Sequence, residues 1–229
     1  MRWGGMIGLL AVFFVLTVSC GEGDSGLPMS FDAYPELEDR EGKPLIRTDG
    51  RPYNLILTTD LGRLTFNLYP IEAPIAVGSL VFLGLEGFFD GMVIYRVVPG
   101  VLAEAGDPTG TGTGGPGYTF EVEPPHRAYA RGDLVMANDG SPNSNGSRFY
   151  ILFGDIAGNA DFPGEYTIVG RLREGHKPSE RTLAALEAVA LGPGPGGEVS
   201  APQEEITILE ASVSIGCPDS SSGFYTGMC

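Results

Sequence analysis

The stretch that most constrains this chain runs from Phe88 to Gly117. One cation sits inside a β-branched and aromatic run, Val93-Ile94-Tyr95-Arg96-Val97-Val98, which stops at Pro99-Gly100. Such residues suit a pleated surface, and a Pro-Gly pair turns the chain, so a strand and a returning strand are expected here. Two readings of Arg96 stand side by side. It belongs either to the wet face of a surface strand or to a guanidinium held rigidly over a small apolar pocket. The segment from Thr109 to Gly117 is glycine-rich but has no Lys-Ser/Thr pair, which excludes a P-loop.

The rest of the chain reads as one domain with tails. Its 229 residues are 42% hydrophobic and 10% aromatic, enough for a core and too apolar for a disordered chain. A formal net charge of -15 argues against nucleic acid and against attraction to anionic lipid. With only His126 and His176, metal sites and Ser-His-Asp triads lack ligands and bases.

Strands are expected at 54–59 and 63–68, joined by a turn at Asp60-Leu61-Gly62. A helix follows from Pro74, with Val77, Leu80, Val81 and Gly84 in one stripe and Gly87 ending it. Further strands are expected at 134–138, 148–153 and 167–172. A second helix opens at Ser179 or Glu180 and reaches about Leu191, with Leu183 and Leu186 inward. Gly192 to Gly197 reads as a Pro-Gly loop, and 205–214 as a closing strand. Short strands with two helices predict a mainly β fold, an antiparallel barrel capped by helices.

The termini carry separate signals. Residues 1–19 read as a secretory signal, with Arg2 ahead of an apolar run centred on Met6 to Leu16. Leu16-Thr17-Val18-Ser19-Cys20 resembles a bacterial lipobox, in which Cys20 becomes the acylated first residue; a plain signal peptide is the alternative. Residues 20–52 read as a flexible tether, 53–216 as the domain and 217–229 as a tail. Removing Cys20 by acylation leaves Cys217 and Cys229, expected to pair as a disulfide in an oxidising compartment, or else to remain two thiols. The expected location is therefore the bacterial cell envelope, reached by export, with a membrane contact through Cys20.

Several long motifs occur in a family's order. They are Phe89-Asp90-Gly91, Tyr95-Arg96-Val97-Val98-Pro99-Gly100 and Gly106-Asp107-Pro108-Thr109-Gly110-Thr111-Gly112-Thr113-Gly114-Gly115-Pro116-Gly117. Next come Arg131-Gly132-Asp133-Leu134-Val135-Met136-Ala137-Asn138, then Pro142-Asn143-Ser144-Asn145-Gly146-Ser147-Arg148-Phe149-Tyr150-Ile151, and finally Tyr166-Thr167-Ile168-Val169-Gly170. Over roughly Tyr53 to Ser214 the chain resembles the cyclophilins, the peptidyl-prolyl cis-trans isomerases.

That resemblance implies a closed eight-stranded antiparallel barrel capped by two helices, with a substrate groove on its outside. It implies proline-containing polypeptides as substrates, no cofactor or metal, no nucleic acid, and a monomer. Arg96 matches the family's catalytic arginine. The substrate groove is expected to use Val101, Leu102, Glu104, Ala137, Asn138, Arg148, Tyr150, Phe162 and Tyr166. Several of these depart from the family pattern. Val101 and Leu102 stand where Phe and Met are usual, Tyr150 replaces a phenylalanine, Phe162 a leucine and Tyr166 a histidine. Glu104 and Arg148 replace two glutamines, a paired swap that conserves net charge and implies an ion pair. Two classes remain open: an isomerase, or a cyclophilin-like module that grips proline-containing segments with little catalysis.

Overall fold

The structure is a computed structural model that describes residues 30–35, 46, 50–157, 165–194 and 197–216. Strand β1 (Tyr53–Thr59) alternates buried and half-exposed positions, placing Leu55 and Leu57 wholly inside. Its partner β2 (Gly62–Leu68) follows through a tight turn. Thr59 closes that turn, its Oγ1 donating to Gly62 O at 2.9 Å and accepting the Leu61 N–H at 3.2 Å.

Helix α1 (Pro74–Leu85) is apolar on most of its surface and is buried accordingly. Pro74 suits the first turn, where its missing N–H costs nothing. Ala73 at the N-cap has no side-chain acceptor, and a distant carboxylate takes that role. Glu123 accepts the N–H groups of Ile75 at 3.1 Å and Ala76 at 2.9 Å. A negative group there satisfies orphan donors and suits the helix dipole. At the other end Gly87 adopts φ 70°, with Phe88 N–H bonded to Leu83 O and Gly87 N–H to Gly84 O. This is the Schellman ending that only a residue tolerant of positive φ closes without strain.

The remaining elements are β3 (Arg96–Val98), β4 (Leu102–Ala105), β5 (Asp133–Met136), β6 (Phe149–Leu152), β7 (Ile168–Leu172), α2 (Lys177–Glu187), β8 (Leu191–Pro193), β9 (Val199–Pro202) and β10 (Ile208–Ile215). Eight strands form one antiparallel sheet in the order β10-β1-β2-β7-β5-β6-β4-β3. This corrects the closed barrel expected from the sequence. The sheet curls into a half-barrel whose two edges, β3 and β10, are not paired with each other.

The run 91–98 explains the opening. Ile94 donates to Ile206 O, while Gly91 and Met92 pair with Ile208, so 91–94 follows the β10 side. Tyr95 then donates to Glu104 O, and Arg96 onward pairs with β4. The single strand expected from Val93 to Val98 is thus divided between two edges, and only Arg96–Val98 is regular strand. The expected Pro-Gly loop is also partly ordered, because β8 and β9 pair as a two-stranded ribbon. An edge ribbon tolerates Pro193, whose lack of an N–H would exclude it from a central strand. Helix α2 runs earlier than expected, from Lys177 to Glu187, with Leu183 and Leu186 buried as anticipated.

Side-chain alternation divides the central strands into two apolar faces. Ala103, Ala105, Leu134, Met136, Phe149, Ile151 and Val169 belong to the main core with α1. Their chain neighbours Leu102, Val135, Ala137, Tyr150, Leu152 and Ile168 form a second cluster with Tyr166 and Ile156. The candidate groove lies on that second face.

One buried carboxylate shapes the glycine-rich segment that borders it. Asp107 is 1% exposed and accepts from the backbone N–H groups of Thr109, Thr111, Gly112 and Gly114 at 2.6–3.2 Å, and from the Thr109 hydroxyl at 2.7 Å. A Cβ on Gly114 would collide with Asp107 Oδ1, so the loop folds around the acid only because glycine stands there. Burial pushes the Asp107 carboxyl up, but the hydrogen bonds from Thr109, Gly114 and Gly112 outweigh it and hold the group below its ordinary value.

Part of the expected tether is packed. Phe31 stacks edge-on against Phe82 at 5.0 Å between centroids, and its N–H donates to Pro116 O at 2.7 Å. Tyr34 packs on Tyr118 and Phe120, and its hydroxyl donates to Ile75 O at 2.7 Å. Within the stretch expected as tether, residues 30–35 strap α1 to the segment 116–120. The expected signal sequence, Cys20, Cys217, Cys229 and Phe162 lie outside the described residues.

Two outcomes are expected. Phe31→Ala should lower stability by about 1–2 kcal/mol, the cost of uncovering a half-buried aromatic, read as a lower urea midpoint with unchanged slope. An unchanged midpoint would show that the strap adds nothing. Asp107→Asn sets an amide NH2 among N–H donors and should cost about 1–3 kcal/mol at pH 7. Because the folded pKa is depressed, the acid's stabilising effect is complete above the unfolded value, about 3.9, and is lost as pH falls through the folded value. Thermal unfolding of both proteins at pH 7 and pH 3 should show the gap between them shrinking in acid.

Candidate functional site

Three strands deliver the polar centre. Arg96 on β3 stands across from Glu104 on β4, and Glu104 stands across from Tyr150 on β6. Arg148 lies two residues before Tyr150 and so shares its face. Glu104 is only 5% exposed. A carboxylate so buried needs partners, and it has three. Tyr95 Oη donates to Glu104 Oε1 at 2.6 Å, Arg96 approaches Oε2 at 3.5 Å, and Arg148 lies 3.6 Å from Oε1.

Arg148 and Arg96 are each tied elsewhere as well. Arg148 donates to Gly112 O at 2.6 Å, which joins the glycine-rich loop to the ion cluster. Arg96 Nε lies 3.7 Å from Glu198 Oε1, and Glu198 immediately precedes β9 in the β8–β9 ribbon. Arg96 keeps 26% of its side chain exposed, so the guanidinium is held from behind and at one edge while still reaching solvent.

The phenols beside this cluster stay neutral. Burial raises the Tyr95 pKa strongly, and the Glu104 charge and its hydrogen bond raise it further. Tyr150 is raised by burial first and by Glu104 second.

Beside the ions lies the apolar part. Leu102, Ala137, Tyr150 and Tyr166 are all buried in the second cluster, with Val101 and Val98 packed at its margin. Val98 shares a strand face with Arg96, which brings the guanidinium to the border of this surface. Tyr150 and Tyr166 meet edge-to-face at 5.7 Å, and Tyr129 locks Tyr166 by accepting its N–H at 2.9 Å and donating to its carbonyl at 3.2 Å.

Asn138 holds the rim, its Nδ2 donating to Glu165 O at 2.8 Å and its Oδ1 accepting the Gly140 N–H at 3.1 Å. Eight of the residues expected in the groove (Val101, Leu102, Glu104, Ala137, Asn138, Arg148, Tyr150 and Tyr166) are therefore placed along one face or its rim. Glu198 was not foreseen. It stands far from Arg96 in sequence, beside a Pro-Gly stretch, and no local pattern marks it. The Tyr95 hydroxyl was likewise not foreseen, since Tyr95 reads as an ordinary strand aromatic.

Comparison with known proteins agrees with this geometry. Residues 54–213 match the family model described as cyclophilin type peptidyl-prolyl cis-trans isomerase/CLD. The chain is 32% identical over 199 residues to a probable peptidyl-prolyl cis-trans isomerase B of Mycobacterium tuberculosis, covering 76% of this chain and 61% of that one. It thus spans less than two thirds of the length of that mycobacterial relative. It is also 32% identical over 165 residues to a peptidyl-prolyl cis-trans isomerase-like 1 of Gibberella zeae, covering 70% of this chain and 94% of that one. The crystal structure of a Cryptosporidium parvum cyclophilin type isomerase in the presence of the dipeptide Ala-Pro superposes with a TM-score of 0.60 at 30% identity, over 70% of this chain and 98% of the other. With a buried ion cluster bordering an apolar face on a half-barrel of eight strands, and with these matches across that same domain, the chain belongs to the cyclophilin-type peptidyl-prolyl cis-trans isomerase family.

Proposed function

We propose that this chain is a peptidyl-prolyl cis-trans isomerase that acts on X-Pro bonds of exported proteins and assists their folding from a lipid anchor at the bacterial cell envelope. The observation that carries the reading is Arg96, fixed by Glu104 at the border of the apolar cluster. Rotation about the X-Pro bond meets a barrier near 18–20 kcal/mol because amide resonance must be broken. At the twisted state the prolyl nitrogen becomes pyramidal and more basic. A donor fixed beside it favours that state over both planar ones, which is what lowers a barrier.

Leu102, Ala137 and Tyr150 form a surface suited to a pyrrolidine ring, with Val101 at its margin. In this reading the Arg96 guanidinium, at the border of that surface, is the donor to the prolyl nitrogen. No proton leaves the protein in this scheme, and no covalent bond is made. The dipeptide used with the Cryptosporidium parvum relative is the ligand class expected here.

The anchor rests on sequence alone: Arg2, the apolar run before Cys20, and Cys20 itself. Among the described residues no helix is long and apolar enough to cross a membrane.

A second reading, a groove that binds proline segments without accelerating them, is favoured by one observation. Glu104 engages the very guanidinium that should act, and a strong hold could turn its donors away from the substrate.

Exchange of a short X-Pro peptide, followed by NMR with full-length protein in detergent, separates the two. Under the isomerase reading Arg96→Ala should lower the catalysed rate about a hundredfold, as loss of a preorganised donor does. Glu104→Gln should lower it severalfold if the carboxylate aims the arginine. A rise in Glu104→Gln would mean that the carboxylate restrains it. Wild-type protein that binds the peptide without accelerating exchange would leave only the second reading. For the anchor, Cys20→Ser should move the protein from the membrane to the soluble fraction and abolish acyl mass at the mature N-terminus. Retention of both would refute it.

A further inference from the structure

We propose that Glu198 is a positioning residue for Arg96, and that the β8–β9 ribbon is the element that sets the arginine's aim. The inference rests on the isomerase reading above and adds a residue to it. Two carboxylates hold Arg96 from different directions. Glu104 lies beneath, 3.5 Å from one terminal nitrogen, and Glu198 lies at the side, 3.7 Å from Nε. A planar guanidinium is oriented by contacts to two of its edges far better than by one, since a single contact leaves it free to swing about that point. With Nε and one terminal nitrogen each facing a carboxylate, the plane of the guanidinium is set from two edges.

Glu198 is itself held in place. The buried Ser200 hydroxyl, on a residue 1% exposed, donates to Glu198 Oε1 at 2.8 Å, the oxygen that faces Arg96. The backbone closes around it too, because Gly194 N–H donates to Glu198 O at 2.6 Å and Gly197 N–H to Gly194 O at 2.9 Å. A Cβ on Gly194 would run into the Ser200 hydroxyl, so the ribbon's glycine makes room for the serine that fixes the acid. The ribbon also packs against β3, the strand that bears Arg96. Glu198 keeps 44% of its side chain exposed, so the pairing is weakened by salt and its contribution is one of direction more than of binding strength.

The test uses full-length protein in detergent and the X-Pro peptide, with line-shape analysis separating the exchange rate of bound peptide from its affinity. A second readout is the Nε–H resonance of Arg96, assigned through its loss in Arg96→Ala. Glu198→Gln is expected to lower the bound-state exchange rate about threefold to tenfold, with peptide affinity within about twofold, and to shift the Nε–H resonance. Ser200→Ala, which frees the carboxylate without removing it, is expected to change both readouts in the same direction by less. It also serves if Glu198→Gln folds poorly.

An exchange rate within about twofold of wild type overturns the proposal, whether or not the resonance moves. A slower rate with an unmoved resonance overturns it as well, since Glu198 would then act by another route. Wild-type protein with no isomerase activity would instead remove the parent reading, and the Nε–H resonance would still decide whether Glu198 holds the arginine.

Discussion

The site is organised by the need to compensate one buried carboxylate. Glu104 sits in the middle strand of the β3-β4-β6 trio, almost without solvent. Taking a carboxylate out of water costs several kcal/mol unless charge and hydrogen bonds replace the lost hydration. Tyr95, Arg96 and Arg148 supply them from three directions. Each partner brings a further segment with it. Arg148 reaches on to Gly112, and Gly112 belongs to the loop wound around Asp107. Two buried acids, Glu104 and Asp107, therefore fix the ion cluster and the glycine-rich border as one unit. Neither contact alone would do so, because a loop with this much glycine has little conformational preference of its own.

Charge is not what stabilises the fold. A buried ion network is often no better for stability than apolar residues of the same volume. The fold rests on the main core that β1, β2, α1 and the inner halves of the central strands build together. What the network supplies is direction. Two glutamines at these positions would offer amides that rotate and exchange roles. A carboxylate between two guanidiniums accepts only, so its partners have one consistent arrangement. The resemblance implies two amides where Glu104 and Arg148 stand, and such an exchange would change how Arg96 is held while leaving the net charge of the pair unchanged.

Much of this was legible from residues and much was not. The first hairpin, the Gly87 ending and the inward leucines of α2 follow from periodicity and turn chemistry, and the structure places them as expected; the α1 stripe residues are buried too, but so is most of that helix. Where the reading failed, the cause was long-range. Periodicity shows that Val93 to Val98 is extended but not which strand each residue meets, and the run is shared between β4 and the β10 side. Sheet closure is decided by that sharing, so a half-barrel could not be told from a barrel. The strap at 30–35 looked like tether because Phe31 and Tyr34 stand among glycine, proline and acids. Only the aromatic cleft formed by Phe82, Phe88, Tyr118 and Phe120 gives them a place. Glu198 and Ser200 lie where local composition reads as loop, and their role appears only once the ribbon is set against β3.

The electrostatic setting also limits how a substrate would be chosen. The chain carries a formal charge of -15, and at the site Arg96 and Arg148 are matched by Glu104 and Glu198, with the acids Asp107 and Asp139 close by. The two arginines are thus compensated locally and exert no strong pull on acidic segments, and at physiological salt the distant acids are screened beyond about 8 Å. Discrimination must then come from the apolar face and from the rim held by Asn138 and Tyr166. The flanking residues of a proline segment would matter little beyond their fit to that face.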